Sequence, residues 1–276
     1  MPVLSLSYYT CAPVTPIEQI RIAAEAGYGA VGLRPAQPRP DSPVQSILGD
    51  RRLIREIVQT SRDLGVKILD LEFVWLDAGS DPERCKGLVD LGAELGVEAI
   101  LVGGIDPDWN RLADTFGKLC EIARQANLTV DLEAMPWARV SSPSEGARLI
   151  ADAGHPANGK LLVDALHFFR ANVPLADIGG LPAGLIHSAQ LCDDIGRASV
   201  STTEAKAIAN FQRLPPAMGA LDLRGFVAAL PAGTPIALEV PNERELERHG
   251  PQEWARHCHR ALEELLAASA QERPER

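Results

Sequence analysis

The chain has 276 residues, 46% hydrophobic side chains and a formal net charge of −10 at neutral pH. That length exceeds a usual single domain and matches the roughly 250 residues of one α/β barrel, with apolar content enough for a large core. The acidity excludes the basic stripe that a nucleic-acid partner requires, and no apolar run nears the ~18 residues of a membrane span.

Short β-rich runs alternate with helical patterns from the first residues onward. LSLSYYT (4–10) reads as a strand, and PIEQIRIAAEAG (16–27) as a helix with Pro16 near its start and Gly27 as its stop. AVGLR (30–34) is the second strand, and a helix over 50–65 again closes on glycine. KILDLEFVWL (67–76), a helix over 82–96, AILVGG (99–104) and a helix over 108–127 continue the alternation. LTVDLEAM (128–135), a Ser-capped helix over 142–154, KLLVDALHF (160–168) and a short helix near 174–181 follow. LIHSAQLCD (185–193) precedes a long irregular loop and a helix near 222–230. PIALEVP (235–241) and a helix over 251–270 complete the series.

Strict alternation predicts a parallel sheet. Eight units of about 30 residues favour closure into a single (β/α)₈ barrel over an open sheet. No GxGxxG follows a strand, which argues against a dinucleotide-binding fold. No linker divides the chain, so one domain is expected over 1–270, with a frayed tail over 271–276. Cys11, Cys85, Cys120, Cys192 and Cys258 are scattered and contain no CxxC, which predicts neither a disulfide framework nor a thiolate zinc site. The N-terminus lacks the basic residues and long apolar run of a secretory signal, so a soluble cytoplasmic protein is expected.

In a parallel barrel the active site lies at the C-terminal ends of the strands. Polar residues late in apolar strands are therefore informative. Glu133 follows LTVDL, Asp164 follows KLLV, Gln190 follows LIHSA and Glu239 follows PIAL, on the fifth to eighth strands. At one depth on four neighbouring strands, unpaired carboxylates would repel until protonated, and a divalent cation removes that conflict. Any one of them alone also fits a helix cap or a salt bridge. The four offer only oxygen donors, a shell that suits Mn²⁺ or Mg²⁺ (with Co²⁺ also compatible) better than Zn²⁺.

LEAMPW, VDALHFFR, AQLCDD and ALEVP together resemble the xylose-isomerase-like TIM-barrel superfamily. That group includes sugar phosphate isomerases and epimerases, inosose dehydratases and 3-dehydroshikimate dehydratases. The resemblance implies a metal quartet of Glu133, Asp164, Gln190 and Glu239, with Glu133 and Glu239 also flanking the substrate as base and acid. Asp164 and His167 match the family's D-x-x-H, and Gln190 with Asp193 matches its H/Q-x-x-D. Gln190 stands where many sugar epimerases have His. Related chains also carry R-x-x-P-G-x-G-x-x-D-L; here Arg213, Pro216, Gly219, Asp222 and Leu223 fit, while Ala217 stands where glycine is usual. A dimer is compatible with the family.

Further residues carry two readings each. Arg213 is a cation for a substrate carboxylate or phosphate, or an anchor of its loop. Arg34, ending the second strand, holds an anionic or hydroxylated ligand, or makes an ion pair below the mouth. His167 contacts substrate or is structural. Glu72 faces inward near the mouth. Trp137 and Trp75 line an apolar wall or pack the barrel. Gly103 and Gly104 read as a tight turn before a site for close ligand approach. Alternation points His187 away from Gln190, toward the helices, and His257 and His259 diverge on their helix.

These residues predict a divalent-metal-dependent isomerase or epimerase of a sugar-like ketose or other polyhydroxy carbonyl compound, acting through proton abstraction and an enediolate. A dehydratase of the 3-dehydroshikimate or inosose type begins with the same enolate, and a mouth-facing Arg34 or Arg213 would favour it. A non-catalytic ligand-binding barrel is the third reading. The expected partner is a small polyhydroxy molecule, with neither nucleic acid nor membrane.

Overall fold

The computed structural model describes residues 2–36, 46–196 and 200–271. Its strands are β1 (Leu4–Leu6), β2 (Ala30–Leu33), β3 (Lys67–Leu76), β4 (Ala99–Gly104), β5 (Thr129–Glu133), β6 (Gly159–Asp164), β7 (Ile186–Leu191) and β8 (Ile236–Leu238). They pair in chain order, β8 returns to β1, and the sheet closes as a barrel. The expected (β/α)₈ architecture is therefore the observed one. The expected tail falls mostly on residues 272–276, which lie outside the described ones. No helix among the described residues is long and apolar enough to cross a membrane.

Local chemistry sets the helix ends. Thr15 and Glu18 form a reciprocal capping box ahead of Pro16–Ala26, and Gly27 closes that helix at φ 97°. Asp50 caps Arg51–Leu64, and Gly65 ends it in the left-handed region. The main core lies between strands and helices, where Ile20, Leu33, Ile57, Leu71, Phe116 and Leu132 are buried. A small apolar cluster of Ala99, Leu101 and Leu162 packs separately from it.

Several element boundaries depart from the sequence reading. The first strand stops at Leu6, and Tyr8–Cys11 makes a helical turn. The sixth strand stops at Asp164, whose carboxylate caps the helix Ala165–Arg170 by accepting from the His167 amide. Ala165, Leu166, Phe168 and Phe169 carry the apolar character past Asp164, so periodicity alone could not locate that boundary. The irregular loop contains a helix, Thr202–Phe211, capped by Ser201. A further helical segment over 243–249 precedes the expected last helix and is parted from it by Gly250, which sits at φ 73°.

Gly103 and Gly104 lie inside β4, not in a turn. A Cβ on Gly103 would stand 2.6 Å from the Trp75 ring and 2.9 Å from Phe73, so its bare backbone makes room for two aromatic rings. His187 also differs from expectation. The β6–β7 register shifts so that Leu161 pairs Ile186 while Leu162 pairs Ser188. The extra residue breaks strict alternation, and His187 Nδ1 lies 2.7 Å from Asp131 Oδ2.

Candidate metal centre and active site

Glu133 and Asp164 are the last residues of β5 and β6, Gln190 is penultimate in β7, and Glu239 directly follows β8. All four are buried. Asp164 and Gln190 are register partners. Asp164 and Glu239 are joined by one guanidinium: Arg213 Nη1 donates to Asp164 Oδ2 at 2.6 Å, and its Nη2 lies 2.8 Å from Glu239 Oε2. Glu133 Oε1 stands 3.4 Å from His167 Nε2. Glu133, Asp164 and His167 each bring one ligand atom to within 4.8 Å of the others.

The charges are unevenly matched. Burial pushes the Glu133 carboxyl well above its ordinary range, and the neighbouring Glu239 and Asp164 push it further. Burial likewise raises Glu239, against the pull of Arg213. At Asp164 the upward push of burial is outweighed by Arg213, His167 and two hydrogen bonds, so its carboxyl is held below the ordinary value. Burial lowers His167 to about 4, which keeps its ring neutral near pH 7. Gln190 Oε1 is buried and has no hydrogen-bond partner, an arrangement that costs free energy unless something else satisfies it.

Above the cluster opens a cavity of about 400 Å³, lined among others by Tyr9, Arg34, Trp137, His167, Lys206 and Arg213. Arg34 lies 4.4 Å above the Tyr9 ring centroid, donates to Tyr9 Oη at 3.0 Å, and has Nη2 4.0 Å from Glu72 Oε2. Its buried Nε has no partner. The His167 ring meets Trp137 edge-on, 4.9 Å between centroids. Glu72 does not line the cavity. It lies buried below, where Ser7 Oγ donates to Glu72 Oε1 at 2.8 Å and stands 3.4 Å from Glu239 Oε1. Burial pushes the Glu72 carboxyl up to about 7, against the opposing charge of Arg34.

Arg213 is not a surface anchor. Besides the two carboxylates, its Nε donates to the Ala209 carbonyl at 2.7 Å, so no donor nitrogen is left uncommitted to the protein. The loop it opens is stapled by Asp193, whose carboxylate accepts from the amides of Gly219, Leu221 and Asp194. Ala217 sits at φ 64°, the left-handed conformation that explains why glycine is usual there. Asp222 caps the following helix, Leu223–Ala229.

Ser7, Tyr9, Lys206 and Asn210 were missed by the sequence reading. The strand read over 4–10 contains Tyr9, and the irregular loop read after 193 contains Lys206 and Asn210. Ser201 with Glu204 three residues on was a legible cap for that helix. Nothing local marked Ser7, since its partners are 65 and 232 positions away.

A family model for the xylose isomerase-like TIM barrel matches residues 20–265. The chain belongs to this family. A search of curated proteins finds no match. Among solved structures, a xylose isomerase-like TIM barrel/4-hydroxyphenylpyruvate dioxygenase fusion protein is 22% identical with a TM-score of 0.78. That comparison covers 100% of this chain, which spans only 45% of the fusion. The IOLI protein with a bound zinc atom is 15% identical, covering 96% of this chain and 98% of its own, with a TM-score of 0.78. The probable 3-DHS dehydratase AsbF from Bacillus anthracis is 14% identical, covering 95% and 98%, with a TM-score of 0.77.

Proposed function

We propose that this xylose isomerase-like barrel is a divalent-cation-dependent enzyme that removes a proton beside the carbonyl of a hydroxylated ring. The observation that supports it most is the oxygen-rich cluster of Glu133, Asp164, Gln190 and Glu239, with one amide oxygen unpartnered and more buried acid than the single Arg213 balances. This donor set fits a hard cation such as Mn²⁺ or Mg²⁺. His167 adds one nitrogen at its edge, the feature a softer ion would use. When bound, the cation supplies Lewis-acid polarisation of the carbonyl and offsets the negative charge that develops on its oxygen.

The protein's own groups supply the rest. Glu239 accepts the proton from the carbon beside the carbonyl, and Arg213 holds its carboxylate in place. Across the site, Glu133 and His167 hold the proton that a departing hydroxyl collects. The C–H electron pair becomes the new double bond, the neighbouring C–O bond breaks, and water leaves. Arg34 at the mouth supports this reading, because a guanidinium lining the cavity suits the carboxylate of a 3-dehydroshikimate-like acid. Isomerisation or epimerisation is the second reading, supported by two buried acidic side chains, Glu133 and Glu239, available to work on the two faces of one carbon. Five free thiols fit a reducing compartment such as the cytoplasm.

The test is incubation in D₂O with Mn²⁺ against 3-dehydroshikimate, inososes and ketoses, read by mass spectrometry. A product lighter by one water supports the lyase; deuterium uptake without that loss supports the isomerase; neither with any substrate removes the proposal. Glu239→Gln should abolish turnover with the circular-dichroism spectrum unchanged, and retained activity would remove Glu239 as the base.

A further inference from the structure

Beside the reaction cavity lies a second one of about 580 Å³, lined among others by Trp137, Phe169, Arg170, Asp194, Thr202 and Asp222. Trp137 lines both cavities, and the helix Thr202–Phe211 serves both: Thr202 and Ala205 line the second, Lys206 and Asn210 the first. None of the proposed ligands or proton-handling groups lines the second cavity. Its volume is that of an ordinary small-molecule site.

The lining specifies a chemistry. Among the described lining residues Arg170 is the one cation, and it is paired with Asp194. Asp222 adds a second carboxylate to the described lining residues, and an anion beside it is disfavoured. Carboxylates accept hydrogen bonds from hydroxyls, and Asn172 and Thr202 donate and accept. Trp137 and Phe169 supply aromatic surface for the C–H face of a ring. The first cavity, by contrast, carries Arg34 and Lys206.

We infer that the second cavity is a binding subsite for an uncharged, polyhydroxylated ring. Taken with the proposed reaction, on which this extension rests, a substrate reaching from the acidic cluster past Trp137 places its second ring there. The test needs no turnover. Methyl α-D-glucopyranoside and myo-inositol are titrated into the full chain with Mn²⁺ present, and binding is read by saturation-transfer NMR. Saturable binding to the wild type is expected. It should weaken by at least about tenfold in Thr202→Trp and in Ala220→Phe, both at exposed positions on the cavity wall. It should persist in Glu239→Gln, which disables the reaction site alone. Absence of saturable binding, indifference to both filling variants, or loss in Glu239→Gln would each overturn the subsite, whatever becomes of the proposed reaction.

Discussion

Arg213 is a cation surrounded by acids, and its place explains why so much carboxylate is tolerated under one cavity. Its two terminal nitrogens reach Asp164 and Glu239 at 2.6 and 2.8 Å. Removing one partner of a buried ionic group leaves the others uncompensated, at a cost of about 3–5 kcal/mol. Arg213→Met should therefore lower metal-free stability by that order in urea unfolding. Added Mn²⁺ should restore part of it, because the ion would compensate the same carboxylates. An unchanged midpoint would show that the pairing contributes little. Glu72 offers a second test. Burial raises its carboxyl from 4.5 to about 7, so the folded state binds the proton more tightly than the unfolded chain. Its contribution is present below pH 4.5, and is lost as pH rises through 7. Glu72→Gln should flatten stability across that interval, and an unaltered pH profile would refute the assignment.

At the scale of elements, the loop from Arg213 to Asp222 translates sequence into site geometry. Asp193 grips it through the amides of Gly219 and Leu221. A Cβ on Gly219 would come within 2.3 Å of Asp193 Oδ1 and of the Asp194 carbonyl oxygen, so alanine cannot fit unless the loop moves. Overpacking of this kind costs about 1–3 kcal/mol. Gly219→Ala should also shift Arg213 and so depress turnover more than stability alone explains, measured as kcat at a temperature where the variant is folded. Full activity would show that the loop does not position Arg213.

At the scale of the molecule, barrel closure places the ends of β5, β6, β7 and β8 side by side. An ion held by Glu133, Asp164, Gln190 and Glu239 would tie those four strands together. Binding stabilises the folded state by about 2.7 kcal/mol when the free ion is 100 times its Kd. Mn²⁺ should raise Tm, reversibly with EDTA. It should slow amide exchange in β5 to β8 more than in β1 to β4. Uniform protection, or none, would argue against a shared ion.

The sequence by itself determined the barrel and the depth of the acidic residues. Strand and helix periods, glycine stops and polar strand ends are properties of neighbours along the chain, so Glu133, Asp164, Gln190 and Glu239 were legible before any coordinates. Only the tertiary structure decided what those residues meet. Arg213 reaches Asp164 across 49 positions, and Ser7 stands between Glu72 and Glu239 across 65 and 232. A one-residue bulge carried His187 to Asp131 against strict alternation, and a short helix within a supposed loop made the partition between two cavities. Local order follows from short-range backbone and side-chain preferences, whereas charge pairing and cavity shape depend on where closure of the whole sheet puts distant segments.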